Sequence, residues 1–252
     1  GCDKAEDRGA AIAVDRQGNQ YTTGYFRSFT GIGAQAADFD PGPAFYPMWS
    51  DQGSYAVYIS KLDAQGNFVW AKQLGGAGFD ELHNIDVDEA GNIYTTGRFE
   101  GTADFNPSAL GVYNLVSAGG SDAFVSKLNS SGNFVWARAM GGISSQTGDN
   151  ICVDNLGGII TTGTFVGVTD FDPGPAVYNL TPSGPPDNRY ILKLTAAGDF
   201  VWAKQLPNTS LTSWMALTTD LLNNVYVAGV YNGDIDCDPG AGTFVLTHSG
   251  NH

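Results

Sequence analysis

Basic side chains are scarce in this sequence. Lys and Arg total 12 against 26 Asp and Glu, a formal net charge of −14 with a pI near 4.3. A surface this acidic repels phosphate, which disfavours nucleic acid and anionic membranes and leaves cations or basic protein surfaces as complements. Cysteine is also scarce: Cys2, Cys152 and Cys237 are odd in number and form no CxxC. At least one therefore lacks an intrachain partner, and a zinc site has no support. Cys237 stands where a recurring motif elsewhere has Phe, so a small buried apolar side chain is expected there. No run approaches the roughly 18 apolar residues of a membrane span. Helical periodicity, a nucleophile elbow and a phosphate-cradling glycine loop are all missing.

What the sequence has in abundance is glycine, 34 residues, within a chain that is 42% hydrophobic and 15% charged. That composition argues for a folded chain of many short strands joined by tight turns. Residues 121–142, SDAFVSKLNSSGNFVWARAMGG, read as a hairpin: alternating apolar runs flank a turn with Gly132 at the left-handed position. Copies end at Gly76 and Leu206. Trp70, Trp136 and Trp202 are 66 residues apart, as are Asp40, Asn106, Asp172 and Asp238. Gly24, Gly97, Gly163 and Gly229 follow at 73, 66 and 66, which places a seven-residue insertion between Gly24 and Asp38. Each copy holds four strand-like pieces, in the second Ile85–Val87, Asn92–Gly97, Ala123–Leu128 and Phe134–Met140. Asx residues (Asp15, Asp88, Asp154, Asp220; Asp63, Asn129) open the turns, with Thr195 departing from the pattern.

A four-stranded antiparallel unit with this period predicts an all-β chain forming a β-propeller arc. Its boundaries are residues 1–76, 77–142 and 143–206 for three complete blades and 207–252 for about half of a fourth. The fourth copy has no hairpin of the Trp type before His252. The chain is therefore expected to be part of a longer polypeptide, with further blades as one partner and self-association of two arcs as the alternative.

GGSDAFVSKLNSSGNFVWARAMGG followed by NICVDNLGGIITTG resembles the bacterial seven-bladed β-propeller repeat (SBBP-like). The DFDPG variant resembles repeats in large secreted surface proteins of the type IX secretion kind. The likeness covers nearly the whole chain, departing at the insertion and in NTSLTSWMALTTDLLNN of the fourth copy. It implies the fold and an extracellular, cell-surface location, and no catalytic activity.

Three sets of residues are candidates for chemistry. The first is the acidic turn: Asp38 and Asp40, Asp104 with Asn106, Asp170 and Asp172, Asp236 and Asp238. Carboxylates two apart on extended chain share a side, and paired with turn carbonyls they suit Ca²⁺; as Asx-Pro-Gly turns they serve their own backbone instead. The second is the repeated Phe-Val-Trp-Ala-Lys/Arg, which reads as packing between blades, with a quinone or sugar platform as the functional alternative. The third is the set of connections entering each first strand, Asp3 to Arg8, then Asp80, Glu81, His83 and Asn84, then Asp149 and Asn150, then Asn208 to Trp214. In a propeller these rim the central channel, where variation on a constant scaffold creates binding specificity. The function expected is a non-catalytic structural or adhesive module presenting loops to a protein or glycan; the alternative is a carbohydrate-active hydrolase or lyase with carboxylates at the channel.

Overall fold

The computed structural model describes residues 7–28, 36–50, 55–182, 188–206, 211–231 and 233–247. Among these the chain is all-β, with no helix. The first unit contains β1 (Arg8–Val14), β2 (Gln20–Phe26), the short pair β3 (Ala37–Asp38) and β4 (Pro47–Met48), then β5 (Ala56–Leu62) and β6 (Phe68–Gly76). The second contains β7 (Glu81–Val87), β8 (Ile93–Asp104), β9 (Asn114–Leu128) and β10 (Phe134–Met140). The third runs through β11 (Gln146–Val153), β12 (Ile159–Phe165), β13 (Thr169–Asp170), β14 (Asn179–Leu180), β15 (Asn188–Leu194) and β16 (Phe200–Leu206). The last has β17 (Leu211–Thr219), β18 (Val225–Tyr231), β19 (Ile235–Asp236) and β20 (Val245–Leu246). Four long strands pair antiparallel in sequence order within each of the first three units, and β17 pairs β18 in the last. Most of the first-unit insertion and all of Cys2 lie outside the described residues.

Neighbouring units are also stitched together. Gly75 and Gly76 at the tip of β6 pair with Asp104 and Ala103 of β8, so the first two meanders share one open sheet. Gly141 makes the corresponding bridge to Asp170. Their N–H groups are capped from the next unit at matching positions: Gly76 donates to the Asp80 carboxylate at 2.7 Å, and Gly142 to the Gln146 side-chain carbonyl at 3.1 Å. A Cβ on Gly76 would lie 2.0 Å from the Thr102 carbonyl oxygen, so the junction closes only over glycine. Strands β8 and β9 also run longer than the sequence pattern suggests. After a break at Gly101 the ladder resumes from Thr102↔Val116 to Asp104↔Asn114.

The two largest core clusters lie between units, and a smaller one, around Phe26, Met48 and Ala71, lies inside the first unit. Tyr21, Ile59 and Leu74 of the first meet Leu82, Ile93, Phe99 and Phe124 of the second; Tyr94, Val125 and Trp136 then meet Ile151, Phe165, Tyr190 and Leu192 of the third. Being covered on both faces, β8 and β12 read as nearly continuous buried runs rather than alternating ones. In β8, Thr95 shares a 2.7 Å bond with Ser126 and Thr96 donates to the Phe124 carbonyl at 2.7 Å; in β12, Thr161 donates to the Asn150 carbonyl at 2.9 Å, whereas the Thr162 hydroxyl is buried with no partner among the described residues. The repeated Trp belongs to the same interfaces. Trp136 donates to the Ala196 carbonyl of the next unit at 3.3 Å, and Arg138 donates to Gly198 and Ala197 at 3.1 Å each. Trp70 packs on turn Gly132, with its buried Nε1 left without a partner among the described residues.

Cys152 is buried as a small apolar side chain. Cys237 is not, contrary to the expectation from sequence: it is exposed. Its counterparts Phe105 and Phe171 are buried against Phe124 of β9 and Tyr190 of β15, and no strand stands in that place beside β18 among the described residues.

Two measurements test this account. Gly76→Ala is expected to cost about 1–3 kcal/mol in denaturant unfolding, from forced overpacking at the junction. The second concerns Asp122, which is 2% exposed, accepts the Ala118 N–H at 3.0 Å and leaves Oδ1 without a partner. Burial pushes its carboxyl up to about 6. Folding therefore favours the neutral form, and stability present below pH 4 is lost as pH rises through 6. Asn188 fills the same register position in the third unit. Asp122→Asn should gain on wild type between pH 4 and 7 by on the order of 2 kcal/mol in unfolding free energy; a difference independent of pH would refute the assignment.

Candidate functional site

The first strands β1, β7 and β11 begin at one end of the molecule, and β7 packs against both β1 and β11. Each breaks register with its second strand at the same place: between Gly9 and Ala11, between Leu82 and Asn84, and between Gly148 and Asn150. The extra residues are Ala10, His83 and Asp149. A bulge of this kind bends the strand and re-aims the side chain it carries. The carbonyls just before each bulge face Gly24, Gly97 and Gly163, where a Cβ would come within 1.8–1.9 Å of the Arg8, Glu81 and Thr147 oxygens. The recurrent glycine that marks the repeat in sequence is thus the partner of the bulge.

The bulges open onto a cleft of about 590 Å³ lined by Arg8, Tyr25, Glu81, His83, Asn84, Asp149, Asn150 and Arg189 among others. His83 sits at its centre. Its Nδ1 lies 2.9 Å from the Gly148 carbonyl oxygen of the third unit, and its Nε2 3.2 Å from Glu81 Oε2. Asp149 Oδ1 is 3.8 Å from Nδ1. Both close neighbours accept hydrogen bonds, so only the imidazolium donates to both. Burial opposes that charge, but the contacts to Asp149, Glu81 and Gly148 outweigh it and raise the His83 pKa above its ordinary value. Around it, Arg98 donates to Glu81 at 2.7 Å, Arg189 pairs with Asp149 at 3.4 Å, and Asn84 donates to Asn150 across the unit boundary at 3.4 Å. A row of rings, Tyr25 to Tyr55 at 5.3 Å and Tyr55 to Phe79 at 5.5 Å, flanks the cleft, and Arg98 covers Phe79 at 5.1 Å.

Of the rim residues expected from sequence, Glu81, His83, Asn84, Asp149 and Asn150 come together. Asp80 does not join them: it is 2% exposed and spends its carboxylate on the Gly76 and Glu100 N–H groups. Trp214 falls in β17, and its side chain, like residues 207–210, lies outside the described residues. Tyr25, Arg98 and Arg189 were not singled out in the sequence. The signal for two of them was available, because Tyr25 and Arg98 each follow a landmark glycine.

The acidic turns lie apart from the cleft, each closed on its own backbone. Asp38, Asp104, Asp170 and Asp236 each accept two N–H groups on Oδ1, from Asp40 and Tyr46, Asn106 and Tyr113, Asp172 and Tyr178, and Asp238 and Phe244, at 2.7–3.1 Å. Asp40, Asp172 and Asp238 accept the N–H of the turn glycine at 2.7–2.8 Å. Among the described residues, no three His, Cys, Asp or Glu side chains gather as a metal site. The tyrosines closing these turns stack on the strand phenylalanines: Tyr46 on Phe68, Tyr113 on Phe134 and Tyr178 on Phe200, at 4.6–4.7 Å.

Residues 69–98, from β6 across β7 into β8, match the family of β-propeller repeats. An uncharacterized WD repeat-containing protein of Acanthamoeba polyphaga mimivirus is 24% identical over 193 residues, which is 68% of this chain and 14% of that protein. Both comparisons support a β-propeller repeat. The matched stretch straddles a unit boundary and includes Glu81, His83, Asn84 and landmark Gly97, so the bulge and its glycine lie inside the repeat itself. The chain spans only 14% of the relative's length, and nothing about that protein's activity is carried over.

The charged form of His83 bridges two units, and its pKa is raised by folding. That stabilisation is complete below pH 6.5 and is lost as pH rises through the higher folded value. His83→Gln should therefore melt below wild type at pH 6, with the gap closing by pH 8.5; an equal gap at both values would remove the imidazolium from the account.

Proposed function

We propose that the chain is an arc of a β-propeller and serves as a non-catalytic binding module of a secreted or cell-surface protein. Three units of 66-residue spacing form its blades, and the axial cleft takes a protein or glycan partner. The observation that carries this reading is the shared bulge. One backbone device, repeated in three units, delivers Ala10, His83 and Asp149 to a common cleft. Constant scaffold with variable tips is how repeat proteins acquire recognition. The lining offers amides, paired charges and a Tyr edge, which suit hydroxyl and carboxylate groups.

The hydrolase alternative draws on Glu81 and Asp149, which approach His83 from different units. They stand 3.2 and 3.8 Å from the two ring nitrogens, and glycoside hydrolysis uses a pair of carboxylates about 5–10 Å apart. Each, however, is ion-paired to an arginine, whereas a general acid needs an unpaired, desolvated carboxyl. Binding to a panel of immobilised glycans, compared with an Asn150→Ala, Arg189→Ala double variant, tests the module. Binding that weakens at least about tenfold in the variant supports it, and glycan recovered intact separates it from the hydrolase. Cleavage that disappears in Glu81→Gln would establish the enzyme instead.

The extracellular location rests on the likeness to secreted surface repeats. The Oδ1 atoms of the turn carboxylates accept backbone N–H groups, which supports Asx turns that close without Ca²⁺. A chelator should then leave the melting temperature unchanged, and a drop of several degrees would place Ca²⁺ in the DFDPG turns.

A further inference from the structure

The cleft at the bulges reverses the sign of the chain that builds it. The sequence carries 12 Lys and Arg against 26 Asp and Glu, yet the cleft and its wall gather Arg8, His83, Arg98 and Arg189 around Glu81 and Asp149. With His83 charged, four cations face two carboxylates. One register position carries much of this difference. Where first and second strands pair ahead of the bulge, the second unit sets Glu81 opposite Arg98, the third Thr147 opposite Thr164, and the first Arg8 opposite Tyr25. Glu81 neutralises Arg98 at 2.7 Å and the two threonines bond each other at 2.9 Å. Arg8, among the described residues, meets only the Tyr25 hydroxyl, at 3.3 Å. Its neighbour Asp7 lines a different pocket, beside Tyr58. Arg189 is paired loosely: one nitrogen stands 3.4 Å from Asp149, and the side chain is 15% exposed.

We propose that the partner in this cleft is an anionic glycan whose sugar carboxylates pair with Arg8 and Arg189. This rests on the reading of the cleft as a binding site and adds the chemistry of what it binds. A guanidinium presents a planar fork that matches a carboxylate with two parallel hydrogen bonds, and Arg8 and Arg189 both keep donors to spare. The neutral lining favours a sugar over an acidic peptide. Asn84 and Asn150 meet across the unit boundary at 3.4 Å, and side-chain amides both donate to and accept from hydroxyls. Tyr25, with Tyr55 and Phe79 behind it, offers ring surface for the apolar face of a sugar. A volume of about 590 Å³ suits a short stretch of glycan.

The test measures binding of an oligogalacturonate, of the same oligosaccharide after carboxyl reduction, and of a Glu-rich peptide to the 252-residue chain. The uronate is expected to bind at least about tenfold tighter than its reduced form, the difference that a hydrogen bond to a charged group makes. Arg8→Gln and Arg189→Gln should each remove most of that preference and leave affinity for the reduced form within about twofold. Arg8 is exposed, so its replacement leaves the packing intact. A carboxylate stays ionised from pH 6 to 8.5, so uronate binding should tighten several-fold at the lower pH as His83 gains its charge, and should not do so in His83→Gln. Equal affinity for the acid and the reduced sugar overturns the anionic assignment and leaves the binding module standing. Tighter binding of the peptide overturns the glycan and likewise spares the module. If none of the three binds, the reading of the cleft as a binding site falls as well.

Discussion

The structure depends on sheets that meet other sheets on both faces. A strand buried on one side can alternate apolar and polar residues, but β8 and β12 have no solvent side. Ile-Tyr-Thr-Thr-Gly and its copies answer that constraint: large apolar groups where space allows, and threonines such as Thr23, Thr95, Thr96 and Thr161 whose hydroxyls find carbonyl or hydroxyl partners in the sheets, Thr162 being the exception. The glycine that ends the run is required because the first strand of its own unit bulges against it. The same packing demand therefore fixes both the core composition and the position of the bulge that re-aims His83.

Much of this was legible in the sequence, because spacing reports where strands and turns must recur. Trp70, Trp136 and Trp202 read as inter-unit packing residues, and Trp136 with Arg138 clamps the next unit's turn. The Asx turns were legible as well. Asp88 accepts the N–H groups of Ala90 and Asn92, the Asn92 amide and the Tyr94 hydroxyl, and these bonds outweigh burial to hold it below its ordinary pKa. In the last unit Asn223, at φ 64°, takes over the turn position glycine has elsewhere.

What escaped the sequence depended on long-range placement. Asp80 lies among the rim residues in sequence, yet the Gly75-Gly76 tip of the preceding unit folds over it and turns it into a buried cap. Gln146 shows that the position needs an acceptor rather than a charge. Arg98 and Arg189 enter the cleft from second and third strands, so no local motif joins them to Glu81 and Asp149. Cys237 was misread for a related reason. Its environment is set by strands from elsewhere in the fold, and composition says nothing of whether they stand beside it.

The clamps also give the arc a direction. The first and second units each reach forward: Trp70 and Lys72, then Trp136 and Arg138, grip the next unit's hairpin turn, and the Gly-Gly tip pairs with the next unit's acidic strand. Stability in such an array is a sum of nearest-neighbour interfaces, so a side chain is held most firmly where units press from both sides. His83 occupies such a place, rooted in the second unit and bonded to Gly148 of the third. The bulge there can change its side chain without disturbing the glycine, the ladder or the clamps. Variation at this position alters the surface of the cleft while the geometry that presents it stays constant.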